Sequence, residues 1–121
     1  MWPFTQAIAM NIWENKYRYQ NDGRLIDQTI DDTWKRVAKA VASVEKKDAR
    51  KQWEKLFYQS LQDFRFLPGG RILAGAGTTH HVTLLNCFVV PINEDSIPGI
   101  FEAIKNGALT LQQGESKCKR N

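Results

Sequence analysis

Two features of the sequence carry chemistry: a glycine-rich stretch with backbone amides to offer, and a cysteine shortly beyond it. Gly69, Gly70, Gly75 and Gly77 fall close together, and glycine lets a chain take positive φ or admit a ligand against its backbone. The apolar run Val82-Thr83-Leu84-Leu85-Asn86-Cys87-Phe88-Val89-Val90, stopped by Pro91, predicts a buried strand with the thiol of Cys87 in its middle. Such a thiol is either a small hydrophobe in a core or a reactive sulfur facing a substrate. Residue types alone leave both readings open.

Other candidate constellations are weaker. The glycine stretch lacks the Gly-Lys-Ser/Thr ending of a Walker A loop, and His80 stands where a dinucleotide fingerprint starting at Gly75 and Gly77 needs a third glycine. His80 and His81 are adjacent, so on an extended chain they point to opposite sides, and no ligand cluster adjoins them in sequence. Both read as loop histidines, and no metal site is expected. Asp31 and Asp32 read as acidic residues in the first turn of a helix capped by Thr29. Cys118 lies in a polar, basic ending and reads as an incidental thiol.

The elements that must position these groups are mostly helical. Ile8, Ile12, Trp13 and Tyr17 predict a helix over 7–19, ended by Asn21-Asp22-Gly23. A second helix over 30–45 carries the stripe Ile30, Trp34, Val37, Ala38, Val41 and Val44, and a third over 47–64 carries Trp53, Leu56, Phe57, Ser60, Leu61 and Phe64. Pro68-Gly69-Gly70 breaks it and opens a turn. After Pro91, Asn93 to Ser96 form a loop ending in a cap, and Ile97, Ile100, Phe101, Ile104, Ala108 and Leu111 stripe a fourth helix over 97–113. A lone strand cannot make a sheet, so its partner strands are expected elsewhere.

Composition bounds the class. A chain of 121 residues, 42% hydrophobic and 25% charged, has apolar content for one core and no run long enough to span a membrane. Met1-Trp2-Pro3-Phe4 is no secretory leader, so the cytoplasm is the expected location. Net charge is +4, of which the ending 115–121 supplies +2 through Lys117, Lys119, Arg120 and Glu115. The remainder reads as solvated helix faces, and no direct DNA or RNA binding is expected.

The run Phe66-Leu67-Pro68-Gly69-Gly70-Arg71-Ile72-Leu73-Ala74-Gly75-Ala76-Gly77-Thr78, then Leu85-Asn86-Cys87-Phe88-Val89, Asp95-Ser96, and Ala108-Leu109-Thr110-Leu111-Gln112-Gln113-Gly114, resembles the N-terminal part of adenosylcobalamin-dependent (class II) ribonucleotide reductases. The likeness extends upstream through Ile12-Trp13-Glu14-Asn15-Lys16-Tyr17-Arg18 and the 29–38 segment. It implies a mainly α architecture with one or two short strands. A helical N-terminal domain (1–67) leads into the first strand and helix of an incomplete ten-stranded α/β barrel (68–114), and 115–121 is a non-matching tail. It implies that Cys87 is one of two reducing thiols, that Gly69, Gly70, Asn86 and Cys87 meet the ribonucleotide substrate, and that Asp95 and Ser96 begin the site for a deoxynucleotide effector. Adenosylcobalamin would be the cofactor, helix 97–113 a homodimer interface, and a C-terminal reductase portion a required partner. The ending looks like a truncation, frameshift or split-gene boundary, so the chain alone is expected to be inactive. The alternative is a non-catalytic helical module that binds nucleotide or a partner, or an inactive remnant.

Overall fold

The structure is a computed structural model in which residues 4–114 are described. The expectations placed on Cys118 and the ending lie outside the described residues. Element order is α1 (Ala7–Ile12), a π-helical turn (Trp13–Tyr17), β1 (Gln20–Asn21), β2 (Arg24–Leu25), α2 (Ile30–Ala42), α3 (Arg50–Leu61), a 3-10 turn (Gln62–Phe64), α4 (Gly70–Gly75) and α5 (Ile97–Gly114). Two compact units divide between Thr79 and His80. The expected division at 67/68 therefore falls inside the first unit, because α4 packs there against the π-helical turn and α2.

In that first unit α2 is the central helix. Thr29 caps it through a complete capping box: the Asp32 amide donates to Thr29 Oγ1 at 3.4 Å while the Thr29 amide donates to Asp32 Oδ2 at 2.8 Å. Its buried face, Ile30, Trp34, Val37 and Ala38, meets Trp13, Leu61, Leu73 and Ala76, with Phe4, Phe57 and Phe64 packed around them. Phe64 meets Trp34 edge-on at 5.3 Å, a favoured aromatic geometry. The stripe is shorter than expected. Val44 lies beyond the end of α2 and is 85% exposed, and Val41, Trp53 and Leu56 are also exposed.

The first helix changes pitch where the core demands it. Ile8 and Ile12 remain exposed, and from Trp13 onward the helix widens, with the Arg18 amide donating to the Trp13 carbonyl at 2.9 Å across five residues. Trp13 is buried in this widened turn. The segment Asn21-Asp22-Gly23 does more than stop the helix: Asp22 (φ 48°) and Gly23 (φ 77°) turn a hairpin that pairs Gln20 with Leu25 and Asn21 with Arg24. An Asp-Gly pair favours this two-residue turn because both of its positions need positive φ.

Two expectations need correction. The glycine stretch is not one open turn, since Gly69 precedes and Gly70 begins the helix α4, while Gly77 alone among these four takes positive φ, at 73°. The run 82–90 is not a strand but irregular chain. A strand needs a neighbouring strand to take up its amides and carbonyls, and the two strands among the described residues pair only with each other. In the second unit α5 forms as expected, begun by Ser96, whose Oγ accepts from the Gly99 amide at 3.1 Å. Among the described residues no helix is long and apolar enough to cross a membrane.

Candidate functional site

A buried polar constellation lies in the first unit. Asp27, 2% exposed, is met from several sides. Arg36 donates to it through Nη2 at 2.9 Å and Nε at 3.1 Å, Thr33 through Oγ1 at 2.7 Å, and the Tyr19 amide at 3.3 Å. Thr33 in turn accepts from Trp13 Nε1 at 3.0 Å. Burying a carboxylate and a guanidinium is tolerable only when they are paired and their remaining groups are hydrogen-bonded. Here no buried side-chain nitrogen or oxygen among the described residues lacks a partner.

Arg36 also reaches beyond its ion pair. It donates to the carbonyls of Leu73 (2.9 Å), Ala76 and Tyr17 (3.4 Å), and lies over the Tyr19 ring at 5.6 Å. One side chain thereby fastens the end of α4 to α2 and to the π-helical turn. Two glycines make that approach feasible. A Cβ at Gly77 would stand 2.9 Å from Arg36 Cγ, and one at Gly70 would stand 3.1 Å from the Tyr17 hydroxyl. Tyr19 closes the unit, sharing a hydrogen bond with Thr79 Oγ1 at 3.1 Å. Through the carbonyls of Leu73, Ala76 and Tyr17 the network positions the glycine segment, a structural role.

The residues singled out for function are distributed as follows. Gly69 and Gly70 lie at the start of α4; a Cβ at Gly69 would meet nothing within 4 Å, so only Gly70 has a packing reason to be glycine. Asn86 and Cys87 are exposed on the irregular segment of the second unit. Asp95 and Ser96 sit at the start of α5, where Ser96 caps the helix and Asp95 is exposed. The structure thus groups Gly69 with Gly70, and Asp95 with Ser96. Asp27, Thr33 and Arg36 were missed as a group. Their one sequence signal is an acidic residue just before a helix whose inward face carries threonine and arginine.

No group of three or more His, Cys, Asp or Glu residues that could hold a metal ion occurs among the described residues. Between α2 and α3 runs a groove of about 510 Å³ lined by Lys35, Arg36, Ala38, Lys39, Lys51, Glu54, Lys55 and Tyr58. Adenosylcobalamin does not fit it: a corrin macrocycle needs a broad surface to lie on, and this groove is rimmed by ammonium groups. One carboxylate beside it is tuned by its neighbours. Hydrogen bonds from Lys35 (2.6 Å) and the Tyr58 hydroxyl (2.5 Å) hold the Asp31 carboxyl below its ordinary value, against a smaller opposing effect of burial.

Comparison with known proteins gives one result. No curated protein and no solved structure matches the chain. A family model described as the ribonucleotide reductase all-alpha domain matches residues 4–81. That span is well over half of the sequence and ends within two residues of the boundary at which the first compact unit closes. Helices α1 to α4 and the Asp27–Arg36 pair lie within the matched span, and the chain belongs to the ribonucleotide reductase family.

Proposed function

We propose that this chain supplies the N-terminal region of an adenosylcobalamin-dependent (class II) ribonucleotide reductase, which converts ribonucleoside diphosphates or triphosphates to deoxyribonucleotides in the cytoplasm. The observation that carries the reading is the coincidence of the family match with the self-packed first unit. The assignment to class II draws on the resemblance of the 66–78 and 85–89 segments. The groove between α2 and α3 is not its site in this reading.

In this reading the first unit is a scaffold and Cys87 is the chemical residue. Replacing the ribose 2′-hydroxyl by hydrogen consumes two electrons. Two thiols supply them, forming one disulfide and releasing the hydroxyl as water. Cys87 is one of those thiols, and the other is brought by the rest of the reductase to a Cα separation of about 4.4 to 6.8 Å. The exposure of Cys87 and its flanking apolar residues suits a segment that becomes a strand once barrel strands pair with it. Gly69, Gly70 and Asn86 then face the substrate, Asp95 and Ser96 meet the deoxynucleotide effector, and the apolar side of α5 forms a homodimer contact. The chain alone turns over no ribonucleotide.

The test places residues 1–114 in a class II reductase in exchange for its own N-terminal segment. Deoxynucleotide formation per folded molecule, with the melting temperature alongside, is measured for the chimaera and its Cys87→Ser variant. The proposal expects an active chimaera and an inactive variant with nearly unchanged melting. Full turnover in the serine variant would remove Cys87 from the chemistry, and turnover by the isolated 121-residue chain would refute the scaffold reading.

A further inference from the structure

The positive charge of this protein is concentrated to a degree that its total conceals. Residues 35–55 carry eight Lys and Arg against three Asp and Glu, a net +5, whereas the whole chain is +4 and everything outside this segment is therefore −1. The segment is the helical hairpin formed by the second half of α2, its turn, and the first half of α3. The groove of about 510 Å³ runs between those two helices.

We propose that this groove binds a small polyphosphate, either inorganic or the phosphate chain of a free nucleotide. Two lysine pairs at i, i+4 spacing line it, Lys35 with Lys39 on α2 and Lys51 with Lys55 on α3. Like charges at that spacing repel and weaken the helices that carry them. Internal pairing relieves only part of this. Lys35 is taken up by Asp31 and Arg36 by Asp27, while Lys39, Lys51 and Lys55 have no ion-pair partner among the described residues. Glu54 is the one carboxylate on the lining.

Three unpaired ammonium groups around one groove suit an anion carrying several negative charges on a short chain, since each can meet a separate phosphoryl oxygen. Size favours a small ligand, because the groove falls within the range of about 300 to 1,000 Å³ typical of small-molecule sites. Charge distribution disfavours a nucleic acid: duplex binding calls for an extended basic footprint, and outside this hairpin the chain is net negative. Tyr58, held by its hydroxyl on Asp31, gives the groove an uncharged wall. The site lies wholly in the first unit and is independent of the role given to Cys87.

The test is calorimetric titration of the full chain with inorganic tripolyphosphate, ATP and a short DNA duplex in separate arms, at low and moderate potassium chloride. The expected result is saturable tripolyphosphate binding that weakens with salt and falls by at least about tenfold in Lys39→Gln/Lys51→Gln/Lys55→Gln. Circular dichroism checks that the variant keeps its helices, as exposed substitutions should. Tighter binding of ATP than of tripolyphosphate identifies a nucleotide ligand, and equal binding identifies the phosphate chain alone. No saturable binding, binding unchanged in the triple variant, or tighter binding of the duplex than of either small anion overturns the proposal. A single exposed control, Lys105→Gln on α5, should leave binding unchanged.

Discussion

The two units differ in whether they close a core. Up to Thr79 one forms, with Trp13 and Trp34 3% and 4% exposed and the Asp27–Arg36 pair fully hydrogen-bonded, although Val44, Phe66 and Leu67 stay exposed. From His80 onward, Val89 is 93% exposed, Phe101 64% and Leu111 74%. Amphipathic pattern is present in both. What differs is tertiary closure: among the described residues the first unit has four α-helices and a hairpin to set against one another, and the second has one long helix and irregular chain. Helical periodicity identifies which face wants burial, and only a partner surface provides it.

The contrast can be broken most severely at its polar centre. Arg36→Ala leaves the Asp27 carboxylate buried without its counter-charge and frees the carbonyls of Leu73, Ala76 and Tyr17, so a loss of about 3 to 5 kcal/mol is expected. Urea denaturation followed by tryptophan fluorescence measures it. A loss below about 1 kcal/mol would show that the pair behaves as a surface contact.

The same logic predicts the reverse for the second unit. Phe101→Ser and Ile104→Ser on α5 remove exposed apolar groups, so they should shift stability by no more than about 0.5 kcal/mol while reducing self-association and binding of an apolar dye. Sedimentation at several concentrations supplies the readout. A large loss of stability would mean that α5 is buried in solution.

Smaller effects sharpen the picture of α2. Thr29→Ala removes one half of the capping box and should cost about 1 kcal/mol, read from the same urea transition. Acidity probes the other groups at that helix start. The Asp31 carboxyl is held below its ordinary value in the folded state by Lys35 and then Tyr58, so it contributes stability above the unfolded carboxylate value near 3.8 that is lost as pH falls through the folded value. The side chain is 38% exposed, which keeps the contribution small. Asp31→Asn should flatten the decline in melting temperature below about pH 4, and an unchanged acid slope would remove the Lys35 and Tyr58 contacts from the account.

Much of the first unit was legible in the sequence. Thr29 with Asp32 marked the start of α2, and Ile30, Trp34, Val37 and Ala38 are the face that is buried. The hairpin was hidden because Asn21-Asp22-Gly23 also reads as a helix stop, although Asp-Gly between short segments is a turn signal in its own right. The Asp27–Arg36 pair spans nine residues, and the further bonds of Arg36 to the Leu73 and Ala76 carbonyls span 37 and 40, which no local pattern encodes. The 82–90 run was legible as apolar but not as structure, because a strand is a property of two segments. In sequence the lysines of 35–55 read as solvated faces, and only the packing of α2 on α3 draws Lys35, Lys39, Lys51 and Lys55 around one groove. Cys87, Asn86 and Asp95 are exposed and Ser96 caps α5, and none of them is brought to the Asp27–Arg36 network.

The central claim is that residues up to Thr79 form a self-sufficient domain while the segment around Cys87 is unpaired in the chain by itself. Peptide-resolved hydrogen exchange on the intact chain tests it directly. Amides in the middle of α2 and α3 should exchange only through global unfolding, while those of 82–92 exchange within the shortest labelling time. Protection across 82–92 comparable to that of α2 would contradict the account, because it would mean that this segment already has the hydrogen-bonding partners it is said to lack.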